Sequence, residues 1–334
     1  MNRKLKRIFY IILIVIVSGM FTVINRVNAT EASVKINYRL KWLFNASVVG
    51  DLYADVNNYF LSEGLDVKVK EGGPERDAIR ELELGYAQFG VASADQVIRA
   101  LSKGAPVVVI AQLFQINPLQ WIYRTEKYTI EGIKNLKGKK IGITYGGNDE
   151  TIMRTLLAKG KISEKEVTLV SVRYDYTPFY QRKVDLWPVY RNSQGITIAT
   201  KLRVAGEEIN YFNPAEFGVI FVANSVVTSR RMLKDHPDIV KKFVLALLNA
   251  WEDSLDSANK KKSLKMIGEY DKDTPPNLLE EQFDVTKSLV KPSPDIKIGV
   301  IDVNAWKQTE KIMLDQKLIP APVLVEKALK AYVK

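Results

Sequence analysis

The chain of 334 residues has no cysteine and one histidine, His236. Without cysteine there is no disulfide, no thiolate nucleophile, no cysteine zinc site and no lipid attached to a cysteine beside an export signal. His236 lies in Lys-Asp-His-Pro at the start of a predicted helix, and catalysis by it would need partner groups that the sequence does not show. We therefore expect a protein that is not an enzyme and that carries no cofactor or metal.

A concentrated basic surface is also missing. The formal net charge is +11, but five of the 49 basic residues lie in the first 29 positions, which contain no acidic residue. The rest of the chain carries +6, spread along its length. Nucleic-acid binding depends on clustered basic residues, so we expect no nucleic-acid partner.

Residues 1–29 have the pattern of an export signal. A basic start at Arg3–Arg7 precedes an almost entirely apolar run over 8–24, and Val27-Asn28-Ala29 is typical of a cleavage site. The apolar run has 17 residues, at the short edge of a membrane span, so an uncleaved N-terminal anchor is the alternative. Either interpretation predicts a periplasmic protein, free or tethered by its own signal.

From Val34 onward, short strands alternate with helices, which predicts an α/β protein with mainly parallel sheets and helices on both faces. The predicted strands cover 34–40, 65–69, 89–92, 106–114, 121–124, 140–144, 167–173, 184–190, 208–212 and 218–228. The predicted helices cover 50–62, 74–84, 95–101, 130–140, about 148–159, 192–202, 235–254, 277–290, 303–318 and 323–333. Pro188 cannot donate a ladder hydrogen bond, so we expect its strand to be kinked or at a sheet edge.

The chain length and hydrophobic fraction of 46% suit two domains, and the order of elements suggests two lobes. Lobe one is predicted over 30–118 plus 222–334, and lobe two over 119–221. The strand at 218–228 is expected to return to the first lobe. Small-molecule sites favour such an interdomain cleft.

Aromatic and amide side chains follow several predicted strands, where ligands of open α/β sheets bind. Trp42, Trp187, Tyr145 and Tyr174 are candidates to stack on a flat ring, with ordinary lobe packing as the alternative. Asn45 is a candidate to hydrogen-bond a ring edge, or else a turn residue that bonds its own backbone.

Two further features of the second half have open interpretations. Gly146-Gly147 precede a helix, where backbone N–H groups can bind an anion, although a plain tight turn has the same sequence pattern. Asp185 is a candidate acceptor for an amine, or a cap before a buried strand.

Five segments together resemble a known family: 40–69 (LKWLFNASVVGDLYADVNNYFLSEGLDVKV), 89–115, 136–147 (LKGKKIGITYGG), 182–196 and 218–227. The chain resembles the periplasmic substrate-binding proteins of ABC importers, with the type II fold. Within them it is similar to the branch of the thiamine-pyrimidine precursor binders and the yeast-type pyrimidine synthase. The likeness covers nearly all of the predicted exported chain.

The resemblance implies that two lobes close over a ligand and that the loaded protein docks on a permease in the inner membrane. It implies ligand contacts from both lobes, at Trp42, Asn45, Tyr53, Ser93, Gln112, Tyr145, Gly146, Gly147, Tyr174, Asp185, Trp187 and Gln194. One departure concerns Asn192-Ser193-Gln194-Gly195, because the pyrimidine binders usually have Asn-aromatic-Glu-Gly. Gln194 replaces a charged acceptor by a neutral donor and acceptor.

We therefore expect a monomeric solute-binding protein for a small flat heterocyclic nutrient, with a thiamine pyrimidine precursor or related vitamin foremost. A sulfonate, nitrate or riboflavin-like ligand is the alternative. A pyrimidine-synthesis enzyme of the same fold is a second alternative, but the synthase depends on cysteine and histidine motifs that this chain lacks. A periplasmic sensor domain is a third, and no second membrane segment or output segment accompanies it.

Overall fold

The computed structural model describes residues 33–73, 76–126, 128–173 and 175–333. The predicted export segment 1–29 and the candidate ligand residue Tyr174 lie outside the described residues. Within the described ranges, the helices fall short of the length and apolar character that crossing a membrane requires.

The described strands form two sheets of five strands each. They are β1 (Val34–Arg39), β2 (Leu65–Lys70), β3 (Phe89–Ala92), β4 (Val107–Gln112), β5 (Leu119–Arg124), β6 (Lys140–Ile143), β7 (Thr168–Ser171), β8 (Leu186–Tyr190), β9 (Ile209–Phe212) and β10 (Ser225–Ser229). The first sheet has the order β2-β1-β3-β10-β4, and the second has β7-β6-β8-β5-β9.

Helices alternate with the strands in the first two-thirds of the chain and follow one another near its end. They are α1 (Val49–Val56), α2 (Tyr59–Ser62), α3 (Ala78–Leu84), α4 (Ala94–Ser102), α5 (Asn148–Lys159), α6 (Thr177–Tyr180), α7 (Gln194–Val204), α8 (Arg230–Asp235), α9 (Pro237–Leu255), α10 (Lys260–Tyr270), α11 (Pro276–Val290) and α12 (Val303–Asp315). The predicted α/β class is confirmed.

Both sheets are mixed. In the first sheet, β1 and β3 run parallel, and β10 runs antiparallel between β3 and β4, with Val227 opposite Gly90 on one side and Val109 on the other. All six residues of β4 are buried, as its continuous apolar run predicts, although β4 is the last strand in the order of this sheet. The returning strand thus makes the first sheet continuous.

The second sheet contradicts one of the two alternatives predicted for β8, a position at the sheet edge. β8 is its central strand, parallel to β6 and antiparallel to β5, with Pro188 opposite Trp121. Pairing with β6 is limited to Ile141 and Leu186, so the ladder ends before the proline. Beside the Pro188 ring, Trp121 Nε1 donates to Gly142 O at 2.9 Å. Proline has no backbone N–H and cannot donate a hydrogen bond to this carbonyl, so the tryptophan provides the donor.

The predicted helix 50–62 is two helices, because Asn58 adopts the left-handed conformation with φ of 59° between α1 and α2. Asparagine tolerates this conformation better than most residues. α1 then lies tightly against α9, and a Cβ at Gly50 would be 2.1 Å from Trp251 Cδ2. Only glycine permits this approach of the two helices.

The predicted helices over 130–140 and 323–333 are wrong, since only single 3₁₀ turns form at Ile133–Leu136 and Val325–Ala328. At the second turn, the buried Glu310 carboxylate accepts the backbone N–H groups of residues 323, 324 and 325 at 2.6–2.9 Å. Leu324 has a φ of 55°, which ends helical propagation there. In this segment the distant Glu310 carboxylate accepts the backbone hydrogen bonds that carbonyl groups of a helix would otherwise accept.

Candidate ligand-binding cleft

A cleft of about 700 Å³ lies between loops that follow strands of the two sheets. Its lining comprises Lys41, Trp42, Asn45, Ser47, Phe114, Pro118, Leu119, Thr144, Tyr145, Gly147, Asn148, Asp149, Val172, Arg173, Tyr176, Trp187, Pro188, Val189, Tyr190, Asn192, Ser193, Gln194 and Asn224. Of the twelve predicted ligand residues, the structure brings Trp42, Asn45, Tyr145, Gly147, Trp187 and Gln194 together here.

The first wall is the loop between β1 and α1. Backbone hydrogen bonds from Leu40 N to Lys70 O and from Gly72 N to Trp42 O fix the loop against the end of β2. A Cβ at Gly72 would lie 2.1 Å from Leu40 O, so this contact requires glycine. Trp42 is 38% exposed and lies on the cleft lining, which leaves part of its surface for a ligand.

Asn45 has the role of a turn residue at the same time as it lines the cleft. Its Oδ1 accepts Ser47 N at 2.8 Å and Ser47 Oγ at 2.5 Å, which caps the turn before α1. The turn alternative for Asn45 is therefore observed. Its Nδ2, a donor, is the group left to face a ligand.

The second wall is built on β8 and the segments beside it. Trp187 is 1% exposed and packs edge-on against Tyr176, with ring centroids 5.9 Å apart, and at a tilt against Phe179 at 6.0 Å. Val172, Val189 and Ile198 belong to the same buried cluster. Trp187 thus lines the cleft from within the core of the second sheet.

The turn between β6 and α5 closes the second wall. Gly147 N donates to Thr144 O at 2.8 Å, and Gly146 N donates to Glu150 Oε2 at 2.7 Å. The N–H groups that the resemblance assigns to a ligand are therefore bonded within the chain, and Gly146 lies outside the lining. Tyr145, 55% exposed, is the residue that the turn presents outward.

Asp149 is a charged group in the cleft that the sequence did not single out. It is 5% exposed, and its Oδ2 accepts Thr144 N at 2.7 Å. Burial raises the pKa of this carboxyl, against the hydrogen bonds from Thr144, which lower it. A carboxylate in the first turn is favoured by the helix dipole, so Asp149 also stabilises the start of α5.

Asparagines join the two chain segments that connect the sheets. Asn117 Nδ2 donates to Phe221 O at 2.7 Å, and Leu113 N donates to Asn224 O at 3.0 Å. Asn224 also lines the cleft. The two connections are therefore hydrogen-bonded to each other beneath the ligand space.

Asn192 connects the cleft lining with the C-terminal helices through a side-chain hydrogen bond. It is 2% exposed, lines the cleft, and its Nδ2 donates to Thr286 Oγ1 in α11 at 3.0 Å. Its neighbour Gln194 opens α7, and Gln194 Oε1 accepts the hydroxyl of Ser193. The loop after β8 thus contacts both the cleft and the C-terminal helices.

Three residues that the resemblance placed at the ligand lie in the interior around the first sheet instead. Tyr53 is 3% exposed and faces the α1 core, where its ring is 5.9 Å from that of Tyr59. Ser93 caps α4, with its hydroxyl on Asp95 and its N–H on Gln96. These contacts use the polar groups of Ser93 inside its own turn.

Gln112 is likewise a buried structural side chain. Its Oε1 accepts Trp306 Nε1 at 3.2 Å and Asp302 N at 3.1 Å, and its Nε2 donates to Phe114 O. Asp185 corresponds to the cap alternative, because its Oδ2 accepts Lys140 N at 2.8 Å at the start of β6. Both residues lie outside the cleft lining.

The sequence reasoning also missed two cationic residues, Lys41 and Arg173, which line the cleft from opposite walls. Both stand where a predicted strand ends, the same position that singled out Trp42. Lys41 Nζ lies 6.0 Å from the centroid of the Tyr190 ring, a long cation–π contact across the cleft. Their position at the ends of predicted strands indicated that they could line a ligand site, but only aromatic and amide residues were considered there.

Catalytic groups are sparse in this site. The lining contains neither cysteine nor histidine, and His236 precedes α9 outside it. In the part of the chain that the structure describes, no group of three or more His, Asp or Glu side chains could hold a metal ion. The lining offers aromatic surface, amides, hydroxyls and three charged groups, which suits binding.

The two mixed sheets with a cleft between their loops have the periplasmic binding protein fold. The structure is similar to the periplasmic aliphatic sulphonate binding protein from Escherichia coli, with a TM-score of 0.69 and 14% identity. The match covers 90% of this chain and 92% of that one.

Sequence comparison gives the family. The model described as NMT1/THI5 like matches residues 45–260, and the chain belongs to this family. The riboflavin-binding protein of Chloroflexus aurantiacus is 25% identical over 90% of this chain and 86% of its own length. The formylaminopyrimidine-binding protein of Halalkalibacterium halodurans is 22% identical over 91% of this chain and 92% of its own.

Proposed function

We propose that this protein is the extracytoplasmic solute-binding component of an ABC importer and that it captures a small flat heterocyclic nutrient. A thiamine pyrimidine precursor or a related vitamin is the ligand class. The observation that carries the proposal is the cleft itself, which combines aromatic side chains from both walls with amide groups at its edges. It delivers the solute to a permease in the inner membrane.

Ring stacking explains the aromatic content of the walls. Trp42 offers an exposed ring on the first wall, and Tyr145 and Tyr190 offer rings on the second. Offset stacking and edge contacts between rings contribute about 0.5–1.5 kcal/mol per pair beyond the area that they bury. Asn45 and Gln194 provide amides to hydrogen-bond ring nitrogens and carbonyls in the plane of the ring.

The relatives support the same chemistry. Two members that match nearly the whole chain are named for riboflavin and for formylaminopyrimidine, which are both flat nitrogen heterocycles. The predicted lobes, 30–118 plus 222–334 and 119–221, would close on such a ring by movement at the two bonded connections. Export through residues 1–29 would place the protein in the periplasm, free or anchored.

A thermal-shift screen of the purified full chain tests this function. Formylaminopyrimidine, riboflavin, taurine and nitrate are each added over a range of concentrations. A ligand that binds only the folded protein raises its melting temperature. At a ligand concentration of 100 times the Kd, the free energy of unfolding rises by about 2.7 kcal/mol. We expect a heterocycle to raise the melting temperature, and taurine and nitrate not to. A shift with taurine or nitrate alone would overturn the heterocycle proposal.

A riboflavin-like ligand is the second candidate, favoured by the cleft volume and by the riboflavin-binding relative. The volume of about 700 Å³ is in the range of sites for drug-sized molecules and exceeds the needs of one pyrimidine ring. Titration of riboflavin fluorescence against the full chain separates the two candidates. Quenching that saturates at one site per chain would favour the flavin.

A further inference from the structure

We propose that Asp149 determines the ligand specificity of the cleft: it accepts a ring ligand that presents an N–H or amino donor and rejects the anionic derivative of the same ring. This inference rests on the proposed function, because it concerns the same cleft. It names the charge class of the substrate, which is uncharged or cationic.

The argument begins with the position of the carboxylate. Asp149 is 95% buried, yet it belongs to the cleft lining together with Thr144 and Gly147 of the preceding turn. Its Oδ2 accepts Thr144 N at 2.7 Å. The Thr144 hydroxyl and the N–H groups of Asp149 and Glu150 also favour the charged form of this carboxyl, and Oδ1, which accepts no hydrogen bond that meets distance and angle limits among the described residues, is the atom for a donor of the ligand.

The turn before α5 uses its own N–H groups in hydrogen bonds within the chain. Helix N-termini bind anions through free backbone N–H groups, but here the chain fills that role itself. Thr144 N is bonded to Asp149, Gly146 N to Glu150 Oε2 at 2.7 Å, and Gly147 N to Thr144 O at 2.8 Å. A phosphate or sulfonate at this turn would meet a buried negative group, and the N–H groups of Thr144, Gly146 and Gly147 are already bonded.

Gly147 allows the carboxylate to stay in this position. A Cβ at Gly147 would lie 2.4 Å from Asp149 Oδ1 and 2.9 Å from Thr144 O. A side chain there would push the carboxylate away from the turn. The Gly146-Gly147 pattern is typical of an anion-binding turn, but in this structure Gly147 leaves space for the carboxylate of Asp149.

Two cations in the lining act in the opposite direction. Arg173 is exposed and Lys41 is half-buried, so water screens both more than it screens Asp149. Placing like charges together in a desolvated site is strongly unfavourable. The buried carboxylate therefore decides which charge the ligand carries at the inner end of the cleft.

Matched pairs of probes test the inference with the full chain. Riboflavin is compared with riboflavin 5′-phosphate, and 4-amino-5-hydroxymethyl-2-methylpyrimidine with its phosphate ester, by calorimetric titration. For the pair that binds, we expect the phosphate to bind at least about tenfold more weakly. Equal or tighter binding of the phosphate would overturn the inference and leave the solute-binding function standing.

Two variants separate the effect of the Asp149 charge, which lines the cleft, from the effect of any negative charge near the start of α5. Asp149→Asn keeps an oxygen for Thr144 N but removes the charge, and we expect the ratio between the two probes to fall at least about threefold toward unity. Glu150→Gln is the matched control. Glu150 is one residue away, lies outside the lining, and pairs with Arg154, which also contacts Glu164.

The control should leave the ratio of the two affinities unchanged. An equal change in both variants, or none in Asp149→Asn with its melting temperature preserved, would overturn the role of Asp149. If Asp149→Asn is unstable, Asp149→Glu tests the same point, since it keeps the charge and should still disfavour the phosphate. Failure of both members of every pair to bind the wild-type chain would instead contradict the proposed function.

Discussion

The two walls of the cleft each carry one tryptophan, and the two side chains are in opposite environments. Trp42 stands in the loop after β1 with 38% of its surface exposed, whereas Trp187 is 1% exposed within β8. Trp187 packs against Tyr176 and Phe179 as part of an apolar cluster. Both were candidates to stack on a flat ring, so the difference shows that aromatic type and place in the sequence do not separate an exposed cleft residue from a core residue.

The interiors behind the walls differ as well. Behind the second wall the cluster around Trp187 is apolar. Behind the first wall lies a buried polar pair, in which Tyr38 Oη of β1 donates to Asp51 Oδ1 of α1 at 2.5 Å. We therefore expect an effect of charge on stability at Asp51 and an effect of packing at Trp187.

The largest expected effect is loss of packing at the second wall. Trp187→Ala should lower the free energy of unfolding by about 3–5 kcal/mol, because it removes a buried aromatic side chain and leaves a cavity. Urea denaturation followed by circular dichroism measures this. Trp187→Phe is the matched control and should cost less, since it keeps a ring. A cost below about 1 kcal/mol for Trp187→Ala would show that the side chain is not part of the core.

Behind the first wall, the expected effect is a pH dependence of stability. Burial raises the pKa of Asp51 to about 7, although the hydrogen bond from Tyr38 lowers it. Because the folded state then holds this proton more tightly than the unfolded state, its contribution is full below about pH 4 and is lost as pH rises to about 7.

Asp51→Asn should remove that loss. The amide oxygen can still accept from Tyr38, and the variant should gain stability relative to the wild type at pH 8 compared with pH 4, on the order of 3 kcal/mol. Urea denaturation at a series of pH values measures the difference. Parallel curves for the two proteins would contradict a raised pKa at Asp51.

A smaller effect, confined to binding, is expected at Trp42. Trp42→Ala should weaken heterocycle binding by about 10- to 100-fold, which corresponds to the loss of one stacking platform of about 1.4–2.8 kcal/mol. Its free energy of unfolding should change little. Leu43→Ala is the control, because Leu43 is adjacent, 50% exposed and outside the lining. A stability loss as large as that of Trp187→Ala would remove the contrast between the walls.

The smallest effect is expected at Asp185, which belongs to neither wall. Asp185→Asn keeps an oxygen for Lys140 N and should change ligand affinity less than about twofold, with a stability change within about 1 kcal/mol. Calorimetric titration with the ligand from the screen measures the affinity. A loss of binding comparable with that of Trp42→Ala would show that Asp185 reaches the ligand.

Much of the fold follows from local patterns. The continuous apolar run predicted β4 as a fully buried strand, and the alternation of strands and helices predicted the α/β class. The errors arose where a distant group overrode local preference. Glu310 takes the backbone donors of residues 323–325, and Trp121 satisfies Gly142 O beside Pro188, so a predicted helix is lost and a proline occupies the central strand.

The residues of the site were also predicted only in part. Strand-end residues with polar or aromatic side chains were identified, and half of the twelve line the cleft. Local spacing could not show that Gln112 turns inward to Trp306, or that the N–H groups beside Gly147 are already bonded. Each depends on a partner that folding brings close.

The sequence by itself determined most of the order of elements and the lack of thiol chemistry, because these depend on composition and short-range periodicity, and the resemblance of five segments indicated the family. The tertiary structure decided which of two similar tryptophans is exposed and which carboxylate lines the cleft. Exposure and burial are properties of packed surfaces, and the two surfaces of this cleft are built from segments more than 100 residues apart, such as Trp42 and Asp149.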